Sequence, residues 1–193
     1  MKLLIDADFI VYKSCAAAET EIDFGDDLIV VTSQFKDALK ATKGEINKIK
    51  TKLGNFANVI LFFSDTVNFR KKIMPEYKGH RNRKKPCGYK RVINARKLEY
   101  EVIIMPEIEA DDAMGIYATE NPGNIVVSPD KDMKQIPGEL YNLDERFTIT
   151  KEEEAKDLKF LLELTAVQAG EYYNMRCPVA AESKSGANWA EVH

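Results

Sequence analysis

Residues 105–132, MPEIEADDAMGIYATENPGNIVVSPDKD, carry two carboxylate clusters, Glu109/Asp111/Asp112 and Asp130/Asp132, each following a short apolar run. Carboxylates packed within a few ångströms repel one another. That repulsion is tolerable only if cations neutralise it or some of the acids protonate. The stretch has too few local cations for this, and a divalent metal is the economical explanation. Only two histidines are present, and Cys15, Cys87 and Cys177 are far apart with no CxxC spacing. Neither disulfides nor a thiolate zinc site is indicated. Hard oxygen donors suit Mg²⁺ or Mn²⁺.

The pattern of an apolar run ending in an acid recurs elsewhere: KLLID ends at Asp6 and NVILFFSD ends at Asp65. One such acid is chance or a helix cap. Four in a chain of this size point to a shared metal pocket, with Asp6 and Asp65 joining the two clusters. Asp8 is read as the N-cap of a following helix rather than as a ligand.

These acids need strands to carry them. Val102–Met105 and Asn124–Ser128 read as buried strands with a helix-length segment between them, a strand–helix–strand unit. In a parallel sheet of such units the strand ends on one edge open into one crevice, which predicts an α/β fold with the acids converging there. The helix begun at Asp8 should bury Ile10, Val11, Ser14 and Cys15. Residues 21–33 read as a peripheral hairpin turning at Phe24–Asp27. Residues 34–53 read as an amphipathic helix through Phe35, Leu39, Ile46, Ile49 and Leu53, interrupted near Gly44. LYNLD and RFTIT give two short strands, and Thr150 with Glu153 forms a capping box for a further helix. From about Val167 no clean periodicity remains.

The chain has 193 residues, 45% hydrophobic and 31% charged, about one domain's worth with a real core. No run approaches a membrane span, and no signal-peptide pattern opens the sequence, so a cytoplasmic location is expected, the host's if the chain is phage-encoded. The net charge of −3 conceals an asymmetry: residues 70–91 carry ten Lys or Arg against the single acid Glu76, so this segment is +9 and the remainder −12. Its cations are interleaved with Phe69, Tyr77 and Tyr89, the composition of a surface that pairs phosphates and stacks bases. His80 among them is read as a neutral surface residue.

These residues resemble the phage-type and bacterial 5′→3′ exonucleases of the flap endonuclease superfamily, from about Lys2 to Lys156. LIDAD, with Asp6, and FFSDTVNFR, with Asp65, look like the first two metal-ligand motifs of that family. PEYKGHR is similar to its basic motif, here Tyr77, Lys78 and Arg81, and EADDAMG and SPDKDMKQ look like its two central acidic motifs. Singly each is weak, but five in the family's order are specific. The resemblance implies a PIN-like 5′-nuclease domain: a mainly parallel sheet flanked by helices, an acidic pocket at the strand ends and a basic loop or arch over it. The family continues with a Gly-Asp-rich motif supplying one more metal-binding Asp, then a helical turn that grips the duplex. Leu162–Thr165 begins that region here, yet residues 165–179 contain no Asp, and Glu171 is a poor substitute. The expectation is a catalytic domain over residues 1–165 and an irregular tail over 166–193 in place of the duplex-anchoring module, by divergence, truncation or a change of reading frame.

The activity so implied is divalent-metal-dependent hydrolysis of phosphodiesters from a 5′ end, on DNA with a free 5′ end or flap or on an RNA primer, by a monomer serving phage or bacterial replication. Two ions would activate a water and stabilise the leaving oxygen. Asp6, Asp65, Glu109 and Asp111 are expected around one, and Asp112, Asp130 and Asp132 serve the other. Lys78 and Arg81 would polarise the scissile phosphate and Tyr77 would stack on the terminal base. Arg70, Lys71, Lys72, Arg83, Lys84 and Lys85 would hold the DNA backbone. Three rival readings stand beside it: an aspartyl-nucleophile phosphatase of the haloacid-dehalogenase type built on Asp6 and Asp8, a PIN-like ribonuclease, and a DNA-end-binding protein that no longer turns over.

Overall fold

A computed structural model describes residues 1–26, 28–54, 58–79 and 84–149. The centre of the molecule is strand β1, Leu3–Asp6, whose Leu3, Leu4 and Ile5 are completely buried. An apolar run without alternation is what a strand covered on both faces requires, and each such side chain contributes about 1.5–3 kcal/mol of burial. β1 pairs in parallel with β4 (Val59–Phe62) on one side and with β6 (Ile125–Val127) on the other. β5 (Glu101–Ile103) extends the sheet beyond β4, while β7 (Gly138–Tyr141) and the antiparallel β8 (Arg146–Ile149) extend it beyond β6, giving the order β5-β4-β1-β6-β7-β8.

The chain moves outward from β1 to β4 to β5 and then crosses back over β1 to β6. With connections of one hand, reversing direction places the helices on opposite faces. Accordingly α1 (Ala7–Ala17), α2 (Phe35–Leu53) and α4 (Tyr89–Glu99) cover the face presenting Leu3, Ile5 and Leu61. α5 (Ala110–Glu120) covers the face presenting Leu4, Ile60 and Phe62. The reversal leaves a crevice beyond the carboxyl end of β1, the place where open α/β sheets hold their ligands.

The elements expected within the described residues are present, with four local differences. α1 is capped by Asp6, whose carboxylate accepts from Phe9 N at 3.3 Å, and Asp8 lies inside the first turn. The strand hands its last residue directly to the helix, so the cap falls two residues earlier than expected. α2 runs unbroken through Gly44, because a mid-helix glycine costs only about 1 kcal/mol and nineteen residues of ladder absorb it. β5 is a half-buried edge strand ending at Ile103 rather than a buried one, since no strand among the described residues pairs beyond it. Finally, the basic segment carries regular structure: it contains the short helix α3 (Phe69–Ile73), and Tyr89 is buried at the start of α4. Tyr89 therefore cannot stack on a base. The hairpin is β2 (Glu19–Asp23) with β3 (Ile29–Ser33), a separate two-stranded sheet. No described helix is long and apolar enough to cross a membrane. Asp27, His80, Arg81, Arg83, the Thr150/Glu153 capping box, Cys177, Glu171 and the boundary near residue 165 lie outside the described residues.

Candidate metal centre and nucleic-acid interface

Two serines that follow strands organise the crevice. After β4, Ser64 Oγ accepts Ala110 N at 3.0 Å and so satisfies an open N–H at the start of α5. Glu109, at the N-cap position, makes no side-chain cap and its carboxylate is left to turn outward. After β6, Ser128 is buried; its hydroxyl donates to Asp6 Oδ2 at 3.1 Å and its oxygen accepts Asp130 N at 3.2 Å. Ser128 thus ties the end of β1 to the 3₁₀ helix Lys131–Gln135, whose cap is Asp130, accepting Asp132 N at 3.0 Å.

Glu109, Asp111 and Asp112 each place one carboxylate oxygen within 4.8 Å of the others, the grouping of metal-ligand type found among the described residues. All three sit at the first turn of α5, where the helix dipole favours negative charge. They line a concavity of about 450 Å³ with Asp130 and Asp132, which are exposed, and with Arg70, Tyr77, Lys78 and Gln135. Asp6 lies at the head of the crevice. Burial pushes its carboxyl up to about 6, aided by the Asp8 charge and opposed by Phe9 N and the Ser128 hydroxyl. Asp111 is likewise raised, chiefly by burial.

Asp65 is placed differently from the central acids. Its oxygens take Thr66 N at 2.6 Å and Glu107 N at 2.8 Å, bonds that hold its carboxyl below the usual range. It lines a second concavity of about 390 Å³ with Asp8, Thr66, Asn68, Lys71, Lys85, Tyr89 and Lys90, and Glu109 belongs to both hollows. Asp8 is occupied from two elements: Ser64 N donates to it at 2.9 Å and the Tyr89 hydroxyl at 2.7 Å.

The acids are less bare of cations than their neighbours in sequence imply. Arg70 forms a bidentate pair with Asp112, its Nη2 standing 2.8 Å from Oδ1, and this lowers the Asp112 carboxyl. Lys78 Nζ is 2.8 Å from both oxygens of Glu109, and the Tyr77 hydroxyl donates to Oε2 at 3.1 Å. Both cations come from the segment at 70–78, far from the acids along the chain but folded onto them. Lys72 pairs with Glu107, while Lys71, Lys84 and Lys85 are exposed. Ser64, Ser128 and the Arg70–Asp112 pair were not singled out by reading the sequence. The serines did carry a signal: each stands just after a buried strand and one or two residues before an acid, in FSD and in VSPD.

The chain matches the family model for the 5′-3′ exonuclease, N-terminal resolvase-like domain, over residues 1–160. No curated protein matches it in sequence. Among solved structures, the fold is similar to the T5 D15 protein co-crystallized with metal ions, at TM-score 0.58 and 14% identity over 86% of this chain and 65% of that one. The bacteriophage T5 D15 flap endonuclease, in a pseudo-enzyme-product complex with DNA and metal ions, gives TM-score 0.56 and 12% identity over the same shares. The catalytic core of Rad2 in complex with DNA substrate gives 0.52 and 16% over 89% of this chain and 54% of that one. At such identities the likeness speaks for the fold, and the chain spans less than two thirds of the length of these structures. The family match over residues 1–160, on a fold whose sheet crevice gathers the acids, establishes that this chain belongs to the 5′-3′ exonuclease family through its N-terminal resolvase-like domain.

Proposed function

We propose that the chain is a divalent-metal-dependent 5′→3′ exonuclease or flap endonuclease that hydrolyses DNA phosphodiesters at a free 5′ end or flap during phage or bacterial replication. The observation that carries this reading is the Glu109/Asp111/Asp112 trio, within 4.8 Å, sharing one concavity with Arg70, Tyr77 and Lys78. Three clustered carboxylates with no nitrogen or sulfur donor suit Mg²⁺ or Mn²⁺. The sequence groups Asp6, Asp65, Glu109 and Asp111 around one ion and Asp112, Asp130 and Asp132 around the other. The closeness of the trio favours instead Glu109, Asp111 and Asp112 on one, with Asp6, Asp130 and Asp132 as ligands of a second, some through water, and Asp65 contributing from the adjoining hollow. When bound, such ions lower the pKa of water and stabilise the leaving oxygen. The remaining roles fall to this chain's own groups. Lys78 and Arg81 contact the scissile phosphate and Tyr77 stacks on the terminal base. Arg70, Lys71, Lys72, Arg83, Lys84 and Lys85 hold the phosphate backbone. The catalytic domain in this reading ends at about residue 165.

Incubation with 5′-overhang duplex and flap DNA, in Mg²⁺ and in EDTA, tests the proposal. Mg²⁺-dependent release of short products from the 5′ side is expected. Asp111→Ala should reduce cleavage by at least about 10³-fold while sparing DNA binding, a loss on the scale of removing a principal transition-state stabiliser. A variant that cuts at the wild-type rate removes Asp111 from the site. The lack of Asp in residues 165–179 favours one alternative, a DNA-end-binding protein that no longer turns over. Salt-sensitive binding with no metal-dependent cleavage would select it, and preference for RNA over DNA would select a PIN-like ribonuclease. The phosphatase reading loses support, because both Asp8 oxygens are already engaged by Ser64 and Tyr89.

A further inference from the structure

The cations that neutralise the acidic trio also stand where a divalent ion would bind. Both Glu109 oxygens are taken by the Lys78 ammonium, and both Asp112 oxygens by the Arg70 guanidinium. In Asp111, Oδ1 accepts Asp112 N at 2.8 Å, and Oδ2 is the one carboxylate oxygen of the trio without a hydrogen-bond partner among the described residues. An ion reaching the trio's other side-chain oxygens would therefore stand beside a resident positive charge, and the repulsion between the two favours the resident's departure. The two residents are not equal. Arg70 presents a planar fork matched to the carboxylate, while Lys78 is a point charge on a flexible stem and yields more readily.

The backbone under Lys78 carries a second sign of a held conformation. Its φ is 54°, in the left-handed region that residues other than glycine rarely adopt, and it stands in the turn that follows α3. Such a conformation persists where its surroundings over-determine it. The bonds from Lys78 to both Glu109 oxygens, with Tyr77 on the same carboxylate, supply that determination.

We propose that Lys78 is the resident counter-cation of the acidic pocket, competing with the divalent ion for Glu109 and released toward a substrate phosphate when the ion takes its place. This rests on the metal-dependent reading above and adds a coupling to it: metal and DNA each favour the binding of the other, because both favour the state in which Lys78 has left Glu109. Lys78 then acts on the pocket before it ever contacts substrate.

The test is MnCl₂ titrated into the full chain without DNA, following free Mn²⁺ by electron paramagnetic resonance. Wild type is compared with Lys78→Met, Lys78→Gln and Lys134→Met, with circular dichroism confirming that each is folded. Lys134 sits on the 3₁₀ helix of the pocket rim with its ammonium 4.7 Å from the centre of the Phe147 ring, so its loss removes equal charge without freeing Glu109. Both Lys78 variants should bind Mn²⁺ at least about five-fold more tightly than wild type, the lower end of ordinary site-to-site coupling, and more tightly than Lys134→Met. Binding by a Lys78 variant alone would support the proposal equally. A gain below that level, or an equal gain in Lys134→Met, overturns it while leaving the metal-dependent reading intact. No Mn²⁺ binding by any of the proteins overturns both.

Discussion

Asp6 shows how one carboxyl can be set against the stability of the fold. It caps α1, bonds to Ser128 and is pushed up to about 6 by burial. The unfolded chain releases this proton near pH 4, and the folded chain holds it until about pH 6. Stability from this group is therefore complete below pH 4 and is lost as the pH rises through 6, a loss on the order of 2–3 kcal/mol at neutral pH. In EDTA, Asp6→Asn should stabilise the protein by about 2 kcal/mol at pH 7.5 and by almost nothing at pH 4, measured by urea denaturation at both. A gain that does not change with pH would mean that burial of the charge is not its cause. The amide keeps an oxygen for Phe9 N, so the cap survives the substitution. Asp6 was legible in the sequence because it ends an apolar run. Asp8 was not, since its partners Ser64 and Tyr89 stand 56 and 81 residues away, and a contact at that separation leaves no local pattern.

At the scale of elements, the pocket depends on how closely α5 approaches the 3₁₀ helix bearing Asp130 and Asp132. Gly115 makes that approach possible: a Cβ there would stand 3.1 Å from Ile136 Cδ1. Alanine requires only that the tip of Ile136 give way by a few tenths of an ångström, and its better helix propensity, about 1 kcal/mol, offsets the crowding. Valine adds two more methyl groups and must drive the elements apart. Gly115→Val should cost about 1–3 kcal/mol in urea denaturation, the usual range for overpacking, and should also weaken Mn²⁺ binding, whereas Gly115→Ala should stay near wild type. Unchanged Mn²⁺ affinity in the valine variant would show that Asp130 and Asp132 take no part in holding the ion. The strands and helices themselves were readable because β1, β4 and β6 are unbroken apolar runs and α2 repeats at helical spacing. What escaped was position within the sheet: nothing in EVI states that β5 is an edge, because edge and centre differ by neighbours that the rest of the chain supplies.

Over the whole molecule, opposite charges separated by long stretches of sequence are brought together. The +9 segment was plain in the sequence, but its division into paired and exposed cations was not, because that depends on folding Arg70, Lys72 and Lys78 against Asp112, Glu107 and Glu109. The division has a consequence for DNA binding. An exposed lysine that meets a phosphate releases counterions and steepens the salt dependence by about 0.9 per contact. A lysine already paired must first give up its carboxylate, so its net contribution is smaller. Lys71 and Lys85, exposed beside the hollow that contains Asp65, belong to the first kind, and Lys72 to the second. Replacing Lys71 and Lys85 together by alanine should lower affinity for a labelled 5′-overhang duplex by about ten-fold near 0.1 M salt and flatten the slope of log K against log salt by nearly 2. Lys72→Ala should flatten it by less than 1. Fluorescence anisotropy in EDTA across a series of salt concentrations gives all three slopes without cleavage. Equal slopes for the double variant and wild type would place the DNA path away from this hollow, on cations elsewhere in the segment.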